Sequence, residues 1–285
     1  MLLRNPKKES NQQTKTFMSA TQSNSLPLWV QDRDTVIAQS TDVKWRYGKL
    51  PDYTRSNENL AKESICNHSE GSLEAIVQNL VRTFEMEVSF KSDPQQWLSV
   101  VNDKFRVSTN GGVEYTAAEL GASGTYNLFM ADSQHYKASE EDFESSGKIF
   151  HTTFPQGFPW EVLEVFSGPP NVTFKWRHWG HFNGQYKNFT PTGEMVEVIG
   201  MSIARVTDDL KIISLEHYFD NTLFLDKLTA GGKTATSKLT ANQKQATGEA
   251  KPTFLGIIKR LWNWKGKPAI SEPQASRCPF STLLR

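Results

Sequence analysis

The sequence predicts an α+β domain, and three observations carry that prediction. Apolar residues recur at helical spacing from Leu73 to Val88. A capping-box pattern, Thr116-Ala117-Ala118-Glu119, opens a second helix. After about Ile149 the period turns from helical to alternating, with short turns between the runs. Helices first, then antiparallel strands joined by tight turns, is the α+β order.

The first helix runs from Ser72 to about Phe90. Its stripe is Leu73, Ile76, Val77, Leu80, Val81, Phe84 and Val88. Ser72, after Gly71, is placed to cap it, and Glu74 suits the positive end of its dipole. Glu85 and Glu87 flank the stripe and are expected on its solvated side. Asp93-Pro94 then breaks the chain. Trp160 to Phe166 reads as a strand, Ser167-Gly168-Pro169-Pro170 as its turn, and Val172 to Trp179 as the antiparallel return. Glu194 to Val206 is a third strand, long enough to need a bend, which Gly200 is expected to supply. Asp208-Asp209 turns it into a last strand, Lys211 to Phe219. A twisted sheet curled around its helices leaves a conical pocket.

Five segments follow from composition. Residues 1–43 form a polar arm without enough apolar surface to fold. Residues 44–230 form the domain, and 231–253, rich in Gly, Lys, Thr, Ala and Gln, a flexible linker. Residues 254–265 form a basic aromatic segment, followed by a tail over 266–285. As a helix, Phe254, Ile257, Ile258, Leu261 and Trp262 share one side, and five basic residues with no acid lie between Lys251 and Lys267. Docking on the domain, partner binding and contact with an anionic membrane surface all fit such a segment. The chain of 285 residues carries 32 basic and 31 acidic groups, a net charge of +1, which gives no electrostatic footprint for nucleic acid. Two cysteines, Cys66 and Cys278, make neither a disulfide framework nor a zinc site. No apolar run follows the first residues and none is long enough to span a bilayer, so a cytoplasmic protein is expected, with peripheral membrane contact through 254–265 one of the three alternatives for that segment.

Alternation sorts the strand residues into faces. Val172, Phe174, Trp176 and His178 share one face, which places His178 at the end of an aromatic floor. A histidine titrates near neutrality and suits general acid or base work; bonded to a backbone carbonyl, it would be structural instead. Glu164 shares a face with Trp160, Val162 and Phe166. A carboxyl among aromatics has a raised pKa and can donate a proton; paired to Arg177 or Lys175 it would be structural. Trp160, Phe174 and Trp176 are the expected pocket lining. No phosphate-cradling loop, dinucleotide fingerprint, HExxH or nucleophile elbow occurs, so no cofactor is implied. His178 and His181 make too weak a pair for a metal site.

Several short segments carry a resemblance. They are Trp45-Arg46-Tyr47-Gly48, Gly71-Ser72-Leu73-Glu74, Ser108-Thr109-Asn110-Gly111-Gly112 and Gly124-Thr125-Tyr126-Asn127, then Trp160 to Val165 running into Ser167-Gly168-Pro169-Pro170. Phe174-Lys175-Trp176-Arg177-His178-Trp179-Gly180, Gly193-Glu194-Met195-Val196-Glu197 and Glu216-His217-Tyr218-Phe219-Asp220 follow. Together, over about residues 44–230, they resemble the pathogen-related protein family of plants and fungi, in the SnoaL-like group of the NTF2-like superfamily. The resemblance implies a cone-shaped fold, a curved antiparallel sheet wrapped around helices. It also implies a group that includes cofactor-free cyclases, isomerases and dehydratases acting on polyketides and terpenoids, and it supplies no catalytic set. Glu216, Tyr218 and Asp220, in its last segment, join His178 and Glu164 as candidates. The expected function is cofactor-free cyclisation, cycloaddition of the Diels–Alder type or isomerisation of a hydrophobic small molecule. The alternatives are a non-catalytic small-molecule-binding stress or defence protein and a module that forms a homodimer through its sheet.

Overall fold

The computed structural model describes residues 26–233. The expected 254–265 segment and the 266–285 tail lie outside the described residues, as does most of the linker. Seven α-helices run in chain order: α1 (Arg33–Gln39), α2 (Thr54–Glu63), α3 (Leu73–Phe90), α4 (Ala117–Ser123), α5 (Thr125–Met130), α6 (Phe143–Thr153) and α7 (Asn221–Thr229). Five strands, β1 (Arg106–Thr109), β2 (Trp160–Ser167), β3 (Asn171–His181), β4 (Met195–Val206) and β5 (Ile212–Phe219), form one open sheet in the order β1-β5-β4-β3-β2. This is the expected α+β class. The run β2 to β5 is antiparallel as the turns require, while β1 adds a parallel edge beside β5 that alternation did not reveal.

α3 forms where its stripe predicts. Ser72 caps it by accepting from the Ala75 amide at 3.2 Å. Its Ile76, Leu80 and Phe84 are buried against inward residues of the sheet, including Val162, Phe174, Ala204 and Leu215. Each such side chain contributes about 1.5–3 kcal/mol by leaving water. The opposite side of α3 is covered too: Met86 joins Val36 and Ile37 of α1 in a second apolar cluster. Residues 26–43 are therefore part of the fold rather than of a polar arm. Few aliphatics suffice there, because Val30, Val36 and Ile37 are buried.

Glu87 corrects the solvated-face expectation. Fully buried, it pairs with Lys91 Nζ at 2.8 Å and accepts from the Leu98 and Ser99 amides and the Ser99 hydroxyl at 2.7, 3.0 and 2.6 Å. It fastens the loop after α3 to the helix. Gly200 also has another role than a bend. The β3–β4 register runs through it unbroken, and a Cβ there would lie 2.2 Å from the Trp176 ring. The glycine makes room for an indole. Irregularities fall elsewhere, in β2 between Val162 and Glu164 and between Val165 and Ser167, and in the β4–β5 pairing between Arg205 and Val206. Among the described residues no helix is long and apolar enough to cross a membrane.

Candidate active site

Two small spaces flank α3, and each leaves about 20 Å³ for the centre of a water-sized molecule. That is room for about one water. The first lies between the amino-terminal half of α3 and the sheet, where the sequence places a pocket. It is lined by apolar side chains, among them Ile76, Leu80, Phe174, Ala204 and Leu215. The second lies beside the carboxy-terminal half, and its walls are polar. Arg33 of α1, Tyr53 and Asn57 at the start of α2, Arg82 and Glu85 of α3, and Phe158 and Trp160 at the entry to β2 line it.

The geometry of this second chamber follows from helix spacing. Arg82 and Glu85 stand three residues apart and so share a face. The Arg82 guanidinium donates twice to the Trp160 carbonyl, from Nε at 3.3 Å and from NH2 at 3.1 Å. Arg33 lies 3.3 Å over the Tyr53 ring and donates to Asn57 Oδ1 at 3.0 Å, while its buried Nε has no partner. Glu85 accepts no hydrogen bond and forms no ion pair within 4.0 Å among the described residues.

Burial sets the charge states. Desolvation pushes the Glu85 carboxyl above its ordinary pKa, and the nearby Arg33 and Arg82 charges only partly offset that. Burial lowers the Arg82 guanidinium to about 10, so it stays cationic near neutrality. Burial raises the Tyr53 and Tyr126 hydroxyls, and the Glu85 charge adds to both shifts. The chamber thus combines an acid able to keep its proton, two cations able to stabilise the carboxylate it leaves, and a buried donor awaiting an acceptor. Among the described residues no three metal-ligating side chains gather.

The sequence-derived candidates are not brought together. His178 faces inward, behind the chamber wall: its ring stacks on Phe158 at 3.9 Å. Its Nδ1 lies 2.9 Å from the Pro159 carbonyl, and the nitrogen donates. Burial lowers its pKa to about 3, so it is a neutral, backbone-bonded histidine. Glu164 is exposed on the outer face, in register with Lys175. Alternation misplaced it because Leu163 is an extra residue in β2, which moves Glu164 and Val165 to the opposite faces until a second irregularity before Ser167 restores the count. Glu216 accepts from the Tyr218 hydroxyl at 2.8 Å, also on the outer face. Asp220 caps α7 through the Leu223 amide at 2.9 Å. Of the expected lining, Trp160 reaches the polar chamber and Phe174 the apolar space. Trp176 is buried in the core and donates to Ser202 Oγ at 2.8 Å.

No family model matches the chain. A pathogen-related protein from Hordeum vulgare is 37% identical over 201 residues, which span 68% of this chain and 86% of that one. The chain belongs to the pathogen-related protein family. Among solved structures it is similar to a proposed SnoaL-like polyketide cyclase from Jannaschia sp. CCS1, at a TM-score of 0.34 and 15% identity, over 59% of this chain and 99% of that one. It is also similar to an NTF2-like protein from Burkholderia thailandensis E264, at a TM-score of 0.29 and 14% identity, over 48% and 85%.

The chamber residues of this pathogen-related family member escaped the sequence reading, although one signal was present. Val77, Val81 and Glu85 form a row at i+4 spacing, so Glu85 continues the buried stripe rather than opposing it. No such signal marks Arg33, which is held in place by contacts with α2.

Proposed function

We propose that this protein is a cofactor-free acid–base enzyme acting on a small hydrophobic molecule, of the polyketide or terpenoid kind, that bears a carbonyl group. The observation that carries the reading is Glu85: a carboxyl with a raised pKa and no hydrogen-bond partner, beside two guanidinium groups. Strongly perturbed, unpaired acids in a concave site are where proton-transfer chemistry concentrates.

The chemistry needs no further group. Protonated Glu85 gives its proton to the substrate's carbonyl oxygen or to the end of a conjugated double bond. The resulting carboxylate, held by the Arg33 and Arg82 charges, takes a proton from an adjacent carbon as the double bond shifts. Protons balance, and the product is an isomer; with a tethered nucleophile the same activation closes a ring. The substrate's reacting end takes the place of one water, and the Arg82 and Phe158 side chains must turn aside for the remainder.

The test uses a β,γ-unsaturated cyclic ketone, whose isomerisation to the conjugated form is read by absorbance. Glu85→Gln is expected to lower the rate by about 10²–10⁴-fold, the usual contribution of a positioned proton donor. His178→Ala and Glu164→Gln should leave turnover within about tenfold. Unchanged activity in Glu85→Gln overturns the assignment. Binding of the ketone without turnover by the unsubstituted protein favours the alternative, a non-catalytic small-molecule-binding protein.

A further inference from the structure

One wall of the polar chamber is built unlike the others. α3 and β2 belong to the core, and α1 is fixed by its buried Val36 and Ile37. α2 and its entry supply Tyr53, Ser56, Asn57 and Leu60 to the lining, at the spacing of one helix face. Yet no residue from Thr54 to Glu63 is buried. What holds this roof down is almost all polar. Arg55 NH1 donates to the Pro155 carbonyl at 3.2 Å, and Asn59 Nδ2 to the Gln156 carbonyl at 2.6 Å. Asn57 accepts from Arg33 at 3.0 Å and donates to Asp34 at 3.4 Å. Tyr53 adds the Arg33 stack and an edge-on contact with Phe90 at 5.7 Å. The carboxy-terminal end is held more firmly. Glu63 accepts from Trp179 Nε1 at 3.0 Å. Ser64 and the Ile65 and Cys66 amides bond to the Glu161 carboxylate, which is buried and paired with Arg177 at 3.0 Å. At the other end the chain arrives through Gly48, whose φ is +66° and whose surroundings are open.

A chamber with room for about one water must open to take in anything larger. The wall that moves is the one whose displacement uncovers the least apolar surface. Lifting α2 exchanges polar holds for bonds to water, whereas moving α3 uncovers Ile76, Leu80 and Phe84. The firm end at Glu161 is then the pivot, and the stretch after Gly48 the hinge. Arg33 ties this roof to a ligand. It is 8% exposed, it lines the chamber, and it holds both Tyr53 and Asn57. Its Nε is buried without a partner. A donor that has given up water and gained no acceptor disfavours the closed, empty chamber. A ligand oxygen accepting from Nε removes that cost in the closed state alone. Such a difference between two states is what lets a ligand shift their equilibrium.

We infer that α2 is a lid, which lifts to admit the ligand and is closed by a ligand oxygen bonded to Arg33. This rests on the proposed reading of the chamber as the site, and the experiment separates the two. Hydrogen exchange of the full chain, read by mass spectrometry, compares the amides of Glu58 to Glu63 in α2 with those of α3. In the free protein α2 should exchange at least about 100-fold faster than α3, through local opening. Asn59→Ala removes a hold outside the chamber lining. It should speed α2 exchange about 3- to 10-fold, the worth of one hydrogen bond, and leave α3 unchanged. The β,γ-unsaturated cyclic ketone, at ten times its dissociation constant, should slow α2 exchange about tenfold relative to α3. Arg33→Lys keeps the charge without the Nε donor and should abolish that slowing, with α3 exchange reporting that the fold is intact. α2 amides that exchange only together with α3 overturn the lid, as does an Asn59→Ala protein with parental exchange in α2. So does a ketone that leaves α2 exchange unchanged, whatever its turnover, or one that slows it equally in Arg33→Lys. A ketone that slows α2 exchange but is never isomerised leaves the lid standing and removes the acid–base reading.

Discussion

The two ends of α3 border small spaces of opposite chemistry. Beside its amino-terminal half, Leu73 to Val81 meet Val172, Phe174 and Val206, and every lining residue is apolar. Beside its carboxy-terminal half, Arg82 and Glu85 meet Arg33, Tyr53 and Asn57. A dry gap between aliphatic side chains has no means of moving a proton; it is imperfect packing, and its walls lose dispersion contacts. A gap walled by a carboxyl, two guanidinium groups and a phenol has every means. The difference teaches that in this cone the position of charge, rather than the volume enclosed, separates core from site.

Substitutions at the two ends should therefore fail in different ways. Leu80→Ala, at the apolar end, removes a side chain that is 6% exposed. It should cost about 2–5 kcal/mol of stability, read by urea unfolding, because the cavity left behind closes only partly. Turnover measured well below the unfolding midpoint should be unaffected. A Leu80→Ala protein of full stability but lost activity would reverse the assignment of the two ends.

Glu85→Gln should have the opposite signature, with a smaller effect on stability. Burial raises the pKa of Glu85 in the folded state. A raised carboxyl pKa means that the folded state binds the proton more tightly than the unfolded chain does. Its stabilising contribution is full below the unfolded value of about 4.3 and is lost as pH rises through the higher folded value. Glutamine mimics the protonated acid and does not ionise. The variant should match the parent in unfolding free energy near pH 4, and exceed it increasingly as pH rises. Equal stability across the range would show that Glu85 titrates as it does in water, and the proton-donor role would fall with it. If Glu85 is the proton donor proposed above, a gain in stability on removing its charge is the expected trade between function and fold.

The sequence revealed α3, the four long strands and their turns, because each obeys one period over enough residues to show it. What it concealed has local causes. The stripe of α3 continues past Val81 through a charged residue, so Glu85 read as solvent-facing. Glu87 is buried only because Lys91, Leu98 and Ser99 satisfy its carboxylate, and two of those partners lie in a loop that no periodicity predicts. Arg33 stands in a stretch poor in aliphatics, yet its guanidinium is stacked on Tyr53. β1 has four residues and pairs in parallel with a strand about a hundred residues away, beyond any local pattern. Polar residues become a site through long-range contact, and periodicity carries no information about that.

The smallest expected effect belongs to the residue whose reading changed most. Alternation from Trp160 places Glu164 among the inward aromatics. The observed register instead pairs Val162 with Trp176 and Glu164 with Lys175, leaving Leu163 without a place in the ladder. The carboxylate is exposed and forms no ion pair with Lys175 among the described residues; even a surface pair would contribute only about 0–1 kcal/mol, less in salt. Glu164→Gln should shift the unfolding free energy by no more than about 0.5 kcal/mol and leave turnover intact. Deleting Leu163 makes the stronger comparison. Without the extra residue Glu164 follows Val162 directly, and alternation keeps it outward opposite Lys175, with Val165 still inward opposite Phe174. The deletion should therefore preserve the register and cost mainly the packing of the partly buried Leu163 side chain, about 0.5–3 kcal/mol by urea unfolding. A deletion variant whose structure turns Glu164 inward would show that its pairing opposite Lys175 does not decide which face Glu164 occupies.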